Sequence, residues 1–229
     1  MNFDAETAHQ ALKEEEYRKI YDFGVSWSET FQSSLFHDYD GILRIEGLLK
    51  EFGEMLSINL VIGNAAYGLK PSFGSLERMA RRLSRKRGMK LGVESRVYGR
   101  KAIDLASEIG ASAYILHTGA MEELLSYSAS KGVPSSVYTL CRISGSESSA
   151  VSEIVGIKGD GYFKRRGVAF EDISSKLGNL AVYGTRKSVA EQISSIFDLG
   201  ASKVALYPVF AGTSDMLNQM RELGEIIER

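Results

Sequence analysis

Cysteine, proline and histidine are all scarce in this chain, at one, three and three residues of 229. A lone Cys141 excludes an intrachain disulfide and fits a reducing cytoplasm. His9 and His37 have no partners at metal-ligand spacing, so no zinc or iron site is expected. Net charge is also nearly absent: at -1 it gives no overall reason to expect a nucleic acid or a membrane surface as partner. No apolar run approaches the length of a membrane span, and the start, MNFDAETAHQ, lacks the basic-then-apolar character of a signal peptide. The serines show no nucleophile-elbow pattern, which removes support for acyl transfer. Nor is there a dinucleotide-type glycine fingerprint, because the first strand ends in Ser26-Trp27-Ser28-Glu29. These absences leave a cytoplasmic globular protein with room for one large α/β domain or two small ones.

What is present is an alternation of strands and helices. The clearest unit runs over residues 183–210: a turn, a helix with Thr185 or Ser188 as its cap, a glycine at position 200 and a buried strand. On that helix Val189, Ile193, Ile196, Phe197 and Leu199 fall largely on one face. Upstream, strands are expected at 22–30, 57–62, 89–93, 113–117 and 136–143. Helices are expected at 5–20, 42–52, 76–86, 100–109 and 122–130, with a terminal one at 214–228. The basic stretch 76–86 reads as a helix with Leu76, Met79, Ala80 and Leu83 facing inward and its charges solvated; a phosphate or nucleic-acid patch is the lesser reading, since no aromatic interleaving supports base stacking. Residues 145–178 read as an irregular insertion in a single domain spanning 1–229, with room for a helix near 149–155 and another near 170–177. Alternating elements imply parallel strands with outer helices, either an incomplete TIM-barrel-like fold or an open doubly wound sheet.

In such folds ligands bind beyond the C-terminal strand ends. Those ends supply a candidate wall: Glu29, Gly63-Asn64, Glu94-Ser95-Arg96, His117-Thr118-Gly119, Arg142 and Tyr207. The segment 92–101, GVESRVYGRK, is the best phosphate candidate, with Gly92 and Gly99 for close approach, the Ser95 hydroxyl and the Arg96 or Arg100 charge. An ordinary strand–helix loop with solvated arginines fits the same spacing. Glu29 is a candidate acid or base and His117 a candidate pocket residue, while a structural role fits His117 equally well. Cys141, inside an apolar strand, reads as core.

The ending AVYGTRKSVAEQISSIFDLGASKVALYPVF resembles the C-terminal signature of the bacterial luciferase-like family, with Arg186 in place of its usual proline. MKLGVESRVYGRKAIDLASEIGASAYILHTG is similar to that family's strand, glycine-rich loop and helix. SINLVIGNAAYG and YDFGVSWSET are similar to strands of its coenzyme F420-dependent branch, the methylenetetrahydromethanopterin reductases. Thr30 stands where that family often has histidine, and Asn64-Ala65-Ala66 departs from its glycine-rich loop. The chain is roughly a third shorter than full-length members, and the family's first and third strands are expected to be missing.

The resemblance implies a luciferase-like barrel binding F420 or FMN, with phosphate contacts from Gly92, Ser95, Arg96 and Gly99 and with Gly63 and Asn64 beside the ring. Glu29 matches the family's acidic position at a strand end, and Tyr207 is a plausible pocket residue. The implied chemistry is hydride transfer to or from a small organic substrate. A non-catalytic cofactor-binding or assembly protein on a shortened barrel is the alternative. Missing strands would expose sheet edges, so a homo-oligomer is expected, most simply a homodimer.

Overall fold

Buried strands alternating with one-sided helices can cover both strand faces only by wrapping helices around a parallel sheet. A computed structural model describes residues 2–4, 27–32, 56–61, 72–86, 90–95, 97–165 and 168–227. Its strands are β1 (Asn2–Asp4), β2 (Trp27–Gln32), β3 (Leu56–Val61), β4 (Lys90–Glu94), β5 (Ser112–Leu116), β6 (Ser135–Ile143), β7 (Ala181–Gly184) and β8 (Lys203–Pro208). All their pairings are parallel. The described helices are α1 (Phe73–Leu83), α2 (Arg100–Ile109), α3 (Met121–Ser130), α4 (Glu147–Arg165), α5 (Ile173–Lys176), α6 (Arg186–Asp198) and α7 (Thr213–Ile227). The sheet curls into an incomplete TIM-barrel-like fold with these helices flanking it.

Period-two alternation assigns the strand faces. Ile58, Val93, Ile115 and Val137 join Leu76, Ala102 and Leu125 in the core between sheet and helices. The intervening Asn59, Gly92, Ser112 and Ser136 line the barrel interior. Within α1, Leu76, Met79, Ala80 and Leu83 are the buried residues, as their spacing requires.

Three neighbours compete for β6. Its residues 135–138 pair with β5, 140–143 with β7 and 136–141 with β8. One stretch of strand edge holds one neighbour at a time, and β8 overlaps both others. It must therefore take one edge while β5 and β7 share the other in succession. This places β7 beyond the C-terminal end of β5, over the barrel mouth, and not between β6 and β8. β1 comes within 8 Å of β8, yet no ladder joins them.

Two glutamine side chains satisfy backbone left open by this arrangement. The Gln192 amide accepts from the Tyr183 N–H at 3.2 Å and donates to the Tyr183 carbonyl at 2.8 Å. Gln219 does the same for Ile143, at 2.8 and 2.9 Å. Each amide stands in for a strand residue, so buried peptide groups keep their partners.

Several expectations change. Among the described residues eight strands stand where six are expected, because β1 and β7 have only three and four residues, too few for alternation to show. A strand therefore does precede β2. The strand expected at 22–30 is described from Trp27 to Gln32, which moves Glu29 from a strand end to the third of six positions. The expected insertion is more regular than its composition suggests: the helix expected near 149–155 is part of α4, which spans 19 residues with a break at Gly159, and short turns of helix up to Asn179 stand where the one near 170–177 is expected. On α6, Val189 and Ile196 are buried, but Phe197 and Leu199 are 45% and 40% exposed. Thr185, not Ser188, caps that helix, accepting from the Ser188 N–H. The helices expected at 5–20 and 42–52 lie outside the described residues.

Candidate functional site

The turn from β4 into α2 is held by β5. Ser95 is fully buried, and its N–H donates to the Tyr114 carbonyl at 2.9 Å. Its hydroxyl donates to the same oxygen at 3.4 Å, and its carbonyl accepts from the Gly99 N–H at 2.7 Å. Gly99 caps α2 at φ 46°, ψ -121°, with no side-chain cap bond. Only glycine adopts that backbone readily, and the helix start it leaves at the mouth suits an anion. Arg100 does not turn toward this point. Its guanidinium pairs with Glu123 of α3 at 2.9 Å and lies 4.9 Å from the Tyr127 ring centroid. Gly63, Asn64 and Arg96 lie outside the described residues.

Gly92 sits inside β4 and not in the loop after it. A Cβ there would meet Asn59 Oδ1 at 2.3 Å and Ser112 Oγ at 3.4 Å. Asn59 is short and 4% exposed, so it has little room to swing away. Glycine at position 92 thus lets β3 lay an amide across β4. Gly92→Ala should destabilise the fold by about 2 kcal/mol. Adding Asn59→Ala should make the pair less costly than the sum of the two single changes, as chemical denaturation can show.

Gly92 and Asn59 also border a cavity of ≈ 40 Å³ with Lys90, Ser112, Ser136, Lys203 and Ala205. Lys90, Ser112 and Lys203 begin their strands, so this space lies toward the barrel floor, opposite the mouth. Burial, and then the Lys90 charge, lower the Lys203 pKa.

The mouth end of the interior is aromatic. Tyr114, Tyr138 and Tyr207 step from β5 across β6 to β8, with centroids 5.8 and 6.0 Å apart. Tyr207, fifth of six residues in β8, is 6% exposed, and Lys158 Nζ of α4 stands 4.5 Å from its ring centroid. No sequence motif marks Tyr114 and Tyr138, although each lies two residues along its strand from an interior position, Ser112 and Ser136. Glu94, at the end of β4, is a further interior-parity residue, 2% exposed.

His117 directly follows β5 and continues the parity of Ala113 and Ile115, which face the helices. Its Nδ1 lies 2.7 Å from Thr139 Oγ1, and burial pushes its pKa down to about 4. It is a neutral imidazole at physiological pH, seated between sheet and helices. Burial likewise pushes the Cys141 thiol up to about 12, as a core residue requires. Glu29 stands in register with Phe3 and Ile58. Among the described residues no group of three or more His, Cys, Asp or Glu side chains is placed to hold a metal, and no helix is long and apolar enough to cross a membrane.

Neither a protein-family model nor a curated relative matches this chain. Solved structures do. Apo-MsnO8 superposes with TM-score 0.65 at 12% identity, covering 93% of this chain and 82% of its own. The oxygenating constituent of 3,6-diketocamphane monooxygenase from the CAM plasmid of Pseudomonas putida, a type II Baeyer–Villiger monooxygenase in complex with FMN, gives 0.58 at 13% identity over 88% and 78%. Riboflavin lyase (RcaE), with modified FMN and riboflavin, gives 0.54 at 12% over 95% and 74%. At these identities the shared property is the fold: the chain is built on the same curled parallel barrel as these three proteins.

Proposed function

We propose that the chain is a flavin-dependent oxidoreductase of the bacterial luciferase-like superfamily, a cytoplasmic homodimer moving hydride between FMN and a small organic substrate. The observation that carries this reading is the likeness, over most of the chain, to proteins whose structures contain FMN. It favours FMN over F420, which the resemblance of SINLVIGNAAYG to the reductase branch keeps as the alternative cofactor.

The described residues fit a flavin at one half of the mouth. Ser95, Gly99 and the start of α2, with Arg96 beside them in sequence, would hold the phosphate. The β6–β8 half is packed with the chain's own side chains, so the ring is assigned to the β3–β5 half, near Gly63 and Asn64. Bound flavin would supply the hydride carrier. The protein's part is to hold the ring against substrate and keep water out, which the apolar wall of Leu140 and Tyr207 does on its side. Glu29 is assigned proton transfer, and His117, through Thr139, the positioning of the β5 end.

The same packing across the mouth favours a second reading, a non-catalytic cofactor-binding or assembly protein. Titration of the purified chain with FMN and with F420, followed by cofactor fluorescence, separates the readings. Saturable FMN binding weakened about tenfold by Arg96→Ala is expected. Binding of neither cofactor sinks the flavin reading, and binding without substrate-dependent flavin reduction supports the second.

A further inference from the structure

Three strands repeat one local pattern on the barrel interior. β5 reads Ser112-Ala113-Tyr114, β6 reads Ser136-Val137-Tyr138 and β8 reads Ala205-Leu206-Tyr207. With a period of two, each places a small residue and then a tyrosine on the same face. The small residues, with Gly92, leave the cavity of ≈ 40 Å³ near the strand starts. The tyrosines stand one layer nearer the mouth. Tyr114 and Tyr207 are buried, and Tyr138 lies between them with ring centroids 5.8 and 6.0 Å away. They roof the chamber, which therefore belongs to the barrel floor and not to the flavin site proposed above.

A gap left by imperfect packing is apolar, and this one is not. Lys203 lies in register with Ser136, and Lys90, exposed at the start of β4, marks where the chamber meets solvent. The Ser112 hydroxyl is committed, donating to the Leu91 carbonyl at 3.0 Å. Asn59, Lys90 and Lys203 each make a further contact within the chain. The half-buried Ser136 hydroxyl is different: it makes no hydrogen bond to any described residue and faces the chamber. Two ammonium groups on one small space also oppose each other. Burial, and then the Lys90 charge, lower the Lys203 pKa, and an anion placed between the two lysines offsets the second of these effects.

We propose that this chamber is a binding site for a single tetrahedral oxyanion of orthophosphate size, contacted by Lys90, Lys203 and the Ser136 hydroxyl. At ≈ 40 Å³ the space admits about three water-sized spheres. That suits an oxyanion with three oxygens in the chamber and the fourth at the Lys90 opening, and it leaves no room for an organic group beneath the tyrosine roof. Charge-assisted bonds from two ammonium groups and a hydroxyl are the donor set such an anion requires.

Amide NMR shifts of the full chain, followed as orthophosphate is added in a buffer free of other multivalent anions, test the site. Saturable shifts are expected at Ser112, Ser136 and Lys203. Ser136→Ala should weaken the affinity about tenfold, and Lys203→Met at least as much. Arg96→Ala, which removes the charge assigned to the mouth, should leave it unchanged. Absence of saturable shifts at these three residues overturns the proposal, as does an affinity that falls with Arg96→Ala but not with Lys203→Met. FMN binding should be the same in Lys203→Met as in the wild type, so the floor site and the flavin reading stand or fall separately. Should Lys203→Met fail to fold, Ser136→Ala decides: an unchanged affinity in that variant overturns the site.

Discussion

Arg142→Met should cost about 3 kcal/mol of folding stability, the largest loss expected from any single side chain on the barrel rim. Arg142 reads from sequence as a pocket cation, but its guanidinium is already committed. Nε donates to Glu153 at 2.5 Å, and Nη1 donates to Asp215 at 2.6 Å and to the Val209 carbonyl at 2.9 Å. The side chain is 11% exposed, and it ties α4, α7 and the end of β8 to β6. Methionine fills the volume but strands two carboxylates, at 36% and 27% exposure, beside each other. Water reaches both, which holds the cost to the lower end of the range for a broken buried pair. Arg142→Lys should recover less than half, since an ammonium cannot satisfy three acceptors in the plane of the fork. The triple change Arg142→Met, Glu153→Gln, Asp215→Asn should be milder than Arg142→Met alone, because no charge is left uncompensated. Urea unfolding with an unchanged m-value reads all of these. A loss below about 0.5 kcal/mol for the single variant would show that the network is a surface ornament.

The same residue marks the limit of what the sequence discloses. Helix faces are legible because burial repeats every three or four positions, as on α1, where all four expected inward residues are buried. The strand–helix order is legible for a related reason, and with it the barrel-like class. What fails is whatever depends on pairing. Arg142 meets partners 11, 67 and 73 residues away, and no local pattern signals them. The three-way competition for β6 is likewise invisible until register is known, and it alone puts β7 over the mouth. Small register changes also move site residues. Carrying β2 on to Gln32 takes Glu29 off the strand end, and the parity of Ile115 turns His117 toward the helices. The first part of α4, near 149–155, is legible, but Gly156 and Gly159 interrupt its apolar stripe and resemble loop composition, which hides how far it runs. Ser95 and Gly99 are different: a small hydroxyl residue and a glycine between strand and helix are what that turn requires, and there the sequence points to the right place.

Acidification should destabilise the protein through His117 by up to about 3 kcal/mol between pH 6.5 and pH 4. Burial lowers its pKa from 6.5 to about 4 in the folded chain. In that window the unfolded chain binds a proton that the folded chain refuses. Stability is therefore full above pH 6.5, falls as the pH drops, and levels off once the folded imidazole also protonates near pH 4. Carboxylates titrate over part of the same range, so the wild-type curve alone cannot isolate the effect. His117→Gln supplies the reference: its amide can still reach the Thr139 hydroxyl, now 2.7 Å from Nδ1, and it carries no proton to gain. Groups shared by both proteins cancel in the difference. The wild type should lose about 2.5 kcal/mol more than His117→Gln between pH 7.5 and pH 4.5, measured by urea unfolding at each pH. Parallel curves would mean that water reaches the imidazole and that its pKa is ordinary. Because Thr139 lies on β6 beside the start of the β7 pairing, protonation should also loosen β7 first, with faster amide exchange at residues 181–184 than in β4.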